Sequence, residues 1–481
     1  MPSKSKFTPV FMAACALFMG GCVSLAPDYK RPQAPVAEQF PFVSGAAVAA
    51  ITPAADIEWQ SFFSDPKLKQ LISAALQNNR DLRIAGLNIG QARAQFQIRR
   101  ADQLPTLNAQ VTGLRQPSTN GNGSITSFYT AGLGITAYEL DFFGRVASLK
   151  ESALSQYLAT EEGRKSAQIS LIALVANTYL SVLADDELFS ITEQTLVTRQ
   201  ESLRLGKLRF DNGVISELDV RLAESLLEAA KAIRAQLVRQ RALDHNTLTL
   251  LVGQPLVAEM RLGTPAGKGL ADVPLMVDVP AGLPSDLLTR RPDVRQAEQL
   301  LLAANANIGA ARAAFFPRIS LTASAGSASN SLTGLFKSGS YGFSLAPSLL
   351  LPIFDFGRNT AGLGSAKASR DIAIAQYEKS IQTAFKEVAD ALAGRATLSE
   401  QLRATQAQAN AEGARYKLSD LRYRNGVASQ LDLLDAQRSL FVAQQAVVQT
   451  RLAQLQSQVT LYKTLGGGWK DDASPAAVLT R

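Results

Sequence analysis

Two periodicities take turns along this chain. Near residues 104–115 and 317–327, apolar and polar positions alternate with a period of two. Leu107, Ala109 and Val111 oppose Thr106, Asn108, Gln110 and Thr112, and Ile319, Leu321, Ala323 and Ala325 oppose Arg318, Ser320, Thr322 and Ser324. This pattern predicts strands with one apolar and one small polar face. Elsewhere apolar residues recur at threes, fours and sevens: Ile381, Ala384, Phe385, Val388 and Leu392, then Leu434, Phe441, Val448, Leu452, Leu455, Val459 and Tyr462. Those intervals predict long helices with coiled-coil stripes.

The two patterns come in a fixed order, twice. Leu208–Asp219 aligns with Leu421–Asp432 at an offset of 213, with eight of twelve positions identical. Asp81–Ala85 matches Asp293–Ala297, Leu104-Pro105 matches Phe316-Pro317, and Asp141–Arg145 matches Asp355–Arg358 with one shifted residue. Four anchors in one order define an internal two-fold repeat. The first copy, 66–252, reads as a helix to about 101, strands near 104–115 and 127–140, a long helix, a turn near 213 and a further helix. The second, 284–465, repeats this with strands near 317–327 and 341–352 and a turn near 426. The long helices after Gly144 and Gly357 run about 65 residues, on the order of 95 Å at ~1.5 Å per residue. The Pro-, Gly- and Ala-rich stretches at 22–65 and 253–283 and the tail 466–481 lack a clear period and read as belt and connector.

The first residues are an address. Lys4 and Lys6 precede the apolar run Phe7–Met19, which ends at Gly20-Gly21-Cys22. This predicts a signal peptide over 1–21, too short to span as a helix, cleaved before a lipidated Cys22. Val23, and not Asp, follows the cysteine, which fits sorting to an outer membrane. No later stretch offers 18 uninterrupted apolar residues. The nearest, Ile169–Ala184, steps by threes and fours at Ile169, Ile172, Ala176, Tyr179 and Leu183 and reads as an amphipathic packing helix. Strands would therefore have to do any membrane crossing. The alternation alone fits a half-buried soluble sheet equally well, and the helical pattern alone fits a soluble bundle. Four strands are too few to close a barrel, so a membrane reading requires several chains; three would supply 3 × 4 = 12 strands.

Composition narrows the chemistry. The 481 residues are 46% hydrophobic and 19% charged, with a formal charge of +8. Basic and acidic residues intermingle, with no Lys/Arg block carrying aromatics, which argues against nucleic acid. Both cysteines, Cys15 and Cys22, lie in the leader region, and His245 is the single histidine. That leaves little material for a Ser-His-Asp triad or a zinc site, so the reading is a non-enzyme without cofactor or metal. The Gly132-Leu-Gly134 and Gly362-Leu-Gly364 pairs lack the residues of a nucleotide loop.

Together, Cys22–Tyr29, Trp59–Pro66, Asn79–Leu82, Arg290–Val294, Phe356–Arg358, Asn425–Val427, Leu434–Arg438 and Gly466–Trp469 resemble the TolC family of outer-membrane factors. The branch is the lipoprotein (OprM/NodT-like) one that serves resistance–nodulation–division pumps. The resemblance covers nearly the whole mature chain. It implies a mainly α fold with β: a homotrimer joining a 12-stranded transmembrane β-barrel to a long antiparallel coiled-coil helical tunnel in the periplasm. The implied role is a passive exit channel of a tripartite efflux pump, lipid-anchored in the outer membrane of a Gram-negative bacterium. Its implied partners are a periplasmic adaptor (membrane fusion protein), an inner-membrane pump and outer-membrane lipid. By this resemblance the turns at Gly213-Val214 and Gly426-Val427 are helix tips that meet the adaptor. Asp432 and Asp435, three apart and so on one helix face, match an acidic constriction, with Arg438 able to tie the closed gate. Asp219 is the first-copy counterpart of Asp432. Leu222 stands opposite Asp435, and Ala428 occupies a position where the family's other branch has a latching Arg. A plain helix start, where acidic residues suit the macrodipole, is the alternative reading of the aspartates. The remaining alternatives are a type I secretion channel for proteins, a lipid-anchored periplasmic coiled-coil scaffold, and, with no sugar cleft to support it, a glycosidase using paired carboxylates.

Overall fold

A computed structural model describes residues 24–41, 54–117, 125–256, 269–274, 276–277, 279 and 284–469. The leader 1–21, Cys22, most of the 116–126 loop, much of the 253–283 connector and the end of the tail lie outside the described residues. The element order is α1 (Pro66–Asn78), α2 (Arg80–Ala101), β1 (Leu107–Pro117), β2 (Ile125–Leu140), α3 (Arg145–Asp211), α4 (Glu217–Val252), α5 (Pro284–Arg290), α6 (Pro292–Ala313), β3 (Arg318–Ser329), β4 (Tyr341–Leu350), α7 (Arg358–Arg424) and α8 (Gln430–Thr464). Among the described residues the chain is mostly helical with one four-stranded sheet, and α3 and α7 are each 67 residues long. It divides into two compact units: Met1–Gln33, Asn88–Glu161 and Gln296–Glu378 in one; Ala34–Leu87, Glu162–Arg295 and Lys379–Arg481 in the other.

The first unit holds the sheet, with strand order β1-β2-β3-β4 and all neighbours antiparallel. The register lines up the alternation seen in the sequence. Leu107, Val111, Leu133, Ile135, Ala323, Ala325, Phe343 and Leu345 fall on one face; Asn108, Thr112, Thr130, Ser320, Ser324, Ser344 and Ser348 fall on the other. Thr112–Thr130 (2.6 Å) and Ser320–Ser348 (2.7 Å) hydroxyl bonds tie the polar face. The chain leaves the apolar face uncovered: Val111 is 78% and Phe343 81% exposed. A half-buried soluble sheet would have hidden those residues against its own helices. A bulge shifts the register between Ile135 and Tyr138, with Ala137 in the left-handed region.

In the same unit an N-terminal strap lies along one face of α6. Arg312 donates to the Leu25 carbonyl (2.9 Å) and Asn305 to that of Pro27 (2.7 Å). Glu298 takes a two-pronged bond from Arg31 (2.7 and 2.8 Å) and one from the Tyr29 hydroxyl (2.9 Å). A Cβ at Gly309 would sit 2.8 Å from the Ala26 nitrogen, so only glycine lets the strap pass.

The second unit holds the main aromatic core. Phe62 stacks on Tyr462 at 3.9 Å between ring centroids, and the Tyr462 hydroxyl donates to Ile57 O (2.6 Å). Asp65 caps α1 by accepting from Lys67 N (2.8 Å) and also receives the Tyr179 hydroxyl (2.6 Å). Burial and that carboxylate push the Tyr179 hydroxyl well above its ordinary value.

Three expectations need correction. The helix placed over 66–101 is two helices, broken at Asn79. The extended Asn79 backbone ends α1, its side-chain oxygen accepts from Leu82 N (2.9 Å) to start α2, and its amide donates to Leu251 O (2.9 Å). A buried Asn bonded to a distant carbonyl leaves no mark on helical periodicity; Pro292 marks the equivalent break between α5 and α6. The strand ends move by up to three residues, to 107–117, 125–140, 318–329 and 341–350. The 169–184 stretch is not simply amphipathic: Val175, Leu180 and Val182 are as buried as Ile172, while Leu183 is only half-buried. An 18-residue window of α3 reaches a mean hydropathy of 1.6, but 61% of it is buried inside the chain, as in a packing helix. The stripe on α7 and α8 is as expected, with Ile381, Val388, Leu434, Phe441, Leu455 and Val459 buried.

Between α3 and α4 lies a buried carboxylate pair. Asp185 and Asp186 are 8% and 6% exposed. Asp186 pairs with Arg241 at 2.5 Å. Asp185 is hydrogen-bonded to Asp244; burial first, then that bond and the Asp244 charge, push its pKa up to about 7. A carboxyl raised in the folded state contributes stability that is complete below its unfolded value of ~3.9 and is lost as pH rises through about 7. Asp185→Asn should therefore raise the apparent melting temperature at pH 8, by on the order of 2 kcal/mol of stability. The gain should shrink toward pH 5; circular-dichroism melts across that range check it.

Candidate functional site at the helix tips

The hairpins α3–α4 and α7–α8 turn in the same way. The helix before each turn ends in a Schellman arrangement. Gly213 N bonds Phe210 O (2.8 Å) and Val214 N bonds Arg209 O (2.8 Å); in the second hairpin Gly426 N bonds Tyr423 O (3.1 Å) and Val427 N bonds Arg422 O (2.9 Å). Gly213 and Gly426 have φ of 71° and 76°, with open space around them, so conformation and not crowding requires glycine. Asn212 and Asn425 each return a side-chain amide to the carbonyl four residues earlier (2.7 and 2.8 Å).

A capping box starts the helix after each turn. Asp219 N and Asp432 N donate to Ser216 Oγ and Ser429 Oγ (3.3 and 3.2 Å), and the aspartate carboxylates accept from both the serine N–H and hydroxyl. The Ser429 hydroxyl, then its backbone, hold the Asp432 carboxyl below its ordinary value. Asp219 and Asp432 are thus helix caps in this chain. Val214 and Val427 stand 67% and 65% exposed at the tips, as do Leu218 (77%) and Leu431 (57%) one turn on.

Asp435 has a different setting. One carboxylate oxygen takes Arg438 at 2.6 Å on its own helix, and the other takes Arg415, which crosses from α7. Arg415 also pairs with Glu412 at 3.1 Å. The two hairpins meet through Arg209, whose guanidinium lies 4.3 Å from the Tyr423 ring centre, and through Gln437, which donates to Ser202 Oγ (3.0 Å). Further up, the buried Arg199 donates to Leu226 O and covers the Phe441 ring at 5.1 Å; burial pulls its pKa down.

The structure joins Asp435 to Arg438 and adds Arg415, which sequence reasoning missed. A signal was present: in an antiparallel hairpin, residues nearly equidistant from the turn face each other, and Arg415 and Asp435 lie eleven before and nine after Gly426. Cys22 lies outside the described residues. Among the described residues no group of three His, Cys, Asp or Glu side chains is placed to hold a metal. Ser216→Ala and Ser429→Ala should each weaken the start of α4 or α8 by about 1 kcal/mol. Hydrogen exchange should then quicken in the first turn of the affected helix only.

The family described as outer membrane efflux protein matches residues 71–254 and 283–467. The probable efflux pump outer membrane protein TtgC of Pseudomonas putida is 49% identical over 475 residues, covering 97% of this chain and 96% of that protein. Outer membrane protein OprJ of Pseudomonas aeruginosa is 45% identical over 465 residues, covering 95% of each. The solved open state of the MtrE outer membrane channel of Neisseria gonorrhoeae is 42% identical with a TM-score of 0.84, covering 93% of this chain and 99% of that one.

Proposed function

The chain belongs to the outer membrane efflux protein family, and on that premise we propose that three copies assemble into one duct, with a 12-stranded barrel in the membrane and a helical tunnel in the periplasm. The chain is an outer-membrane efflux channel and a component of an efflux pump. Its family and relatives are channel proteins rather than enzymes. The observation that supports assembly from several copies is the sheet: four strands, two outer edges each with a neighbour on one side only, and an exposed apolar face. In hydrocarbon every backbone polar group needs a partner, so β1 of one copy must pair with β4 of the next until the ring closes.

The remaining assignments follow from that assembly. The repeats 66–252 and 284–465 supply barrel and tunnel. The segments 22–65, 253–283 and 466–481 form a belt around it. Residues 1–21 are removed and Cys22 carries the lipid anchor. The tips at Gly213-Val214 and Gly426-Val427 present their exposed valines to a periplasmic adaptor, which couples the duct to an inner-membrane pump that provides the energy. Asp432, Asp435 and Arg438, with Asp219 on the other hairpin, line the periplasmic gate. Relatives named for toluene, solvent and antibiotic efflux support small apolar molecules as the cargo class.

Single-channel recording of the detergent-extracted protein in a planar bilayer tests this. Wild type should show a small conductance. Asp432→Ala/Asp435→Ala, which removes both a cap and the carboxylate joining α7 to α8, should show a conductance several-fold larger. Equal conductance from both would move the gate elsewhere, and none from either, with intact trimers, would defeat the duct.

A further inference from the structure

The acids at the second tip do not stand alone. Both carboxylate oxygens of Asp435 hold a guanidinium, Arg415 on one and Arg438 on the other. Arg415 bonds Glu412 with its other nitrogen. Asp432 spends one carboxylate oxygen on Ser429, and after those bonds the charges of Arg422 and Arg415 help to hold its carboxyl below its ordinary value. Around this tip the acids Glu412, Asp420, Asp432 and Asp435 are interspersed with Arg415, Lys417, Arg422, Arg424 and Arg438, and Arg424 is paired with Asp420 (2.9 Å). The first hairpin shows that the pairing is specific. At the repeat positions of Arg415 and Asp435 it carries Ser202 and Leu222, so acid and base are both absent there. Arg438 lies on the same helix as Asp435, a pairing that any surface helix makes at this spacing. Arg415 reaches over from the opposite helix of the hairpin and is a second cation on that carboxylate, shared with Glu412.

We propose that Arg415 sets the ion preference of the periplasmic gate: as a second cation on the Asp435 carboxylate it offsets the negative charge of the constriction, so that the duct does not select strongly for cations. The proposal rests on the gate reading above. A bare ring of three carboxylates would favour cations and hold divalent ions in the path. With the arginine in place the ring presents alternating charge, whose field dies away within a short distance of the wall. These groups are partly exposed, so the effect is strongest at low ionic strength.

Reversal potentials across a KCl gradient, measured on conducting trimers in planar bilayers, test this. Wild type should discriminate weakly between K⁺ and Cl⁻. Arg415→Gln should become several-fold cation-selective and more sensitive to Mg²⁺ block. Asp435→Asn, which leaves Arg438 without its carboxylate and Arg415 with Glu412 alone, should shift toward anions. The double variant should fall between the two, and Arg415→Lys, which keeps the charge, should behave as wild type and so controls for folding. If Asp435→Asn changes selectivity but Arg415→Gln does not, the gate stands and the role of Arg415 is overturned. If neither changes it, the tips do not control permeation, and the gate reading fails with the proposal.

Discussion

An open sheet edge cannot face hydrocarbon. The sheet of this chain has two such edges, on β1 and β4, and an apolar face that the chain itself does not cover. In water that face would drive aggregation, and in lipid the edges would leave a row of N–H and C=O groups unpaired at several kcal/mol each. One arrangement satisfies both demands: lipid against the apolar face and further copies against the edges. The small hydroxyls of the opposite face, already bonded across strands at Thr112–Thr130 and Ser320–Ser348, are what a water-filled interior requires.

The rest of the chain shows one backbone solution used twice and then varied by charge. Each hairpin ends in a left-handed glycine, a Schellman pair and a Ser/Asp capping box, so both tips are built alike to the level of single hydrogen bonds. The difference lies just beyond. Where the first hairpin has Ser202 and Leu222, the second has the Arg415–Asp435 ion pair. A repeat can keep its fold while one copy acquires chemistry, because caps and turns are set by the backbone and the ion pair only by the side chains laid over it. The strap on α6 shows the same economy in the other unit, with Glu298, Asn305, Gly309 and Arg312 spaced along one helix face to hold Leu25–Arg31.

Most of the fold was legible in the sequence because its signals are periodic. The strand alternation survives in the register of β1 and β3, with one bulge in β2, and the stripe on α7 and α8 lies largely buried. Periodicity fails where one side chain does two jobs. Asn79 ends α1 and starts α2 through its own amide, and nothing in the spacing around it announces a break. Asp432 was legible as acidic, but its capping role needed the serine three residues earlier to be read together with it. Arg415 was hidden because its partner lies twenty residues away, across a turn that folds the chain back on itself. The stretch 169–184 misled in the other direction: a helix buried on most sides carries the same three-and-four stepping as an amphipathic one.

The closure of sheet edges between copies is the central claim, and cysteine cross-linking tests it most directly. One cysteine is placed on β1 and one on β4 of the same chain, scanned across the register, in protein extracted from the membrane and oxidised. The account predicts covalent dimers and trimers on denaturing gels, at registers two residues apart, and only when both cysteines are present. Oxidation that yields only monomers at every register would show that the edges do not meet those of neighbouring copies, and would contradict the account.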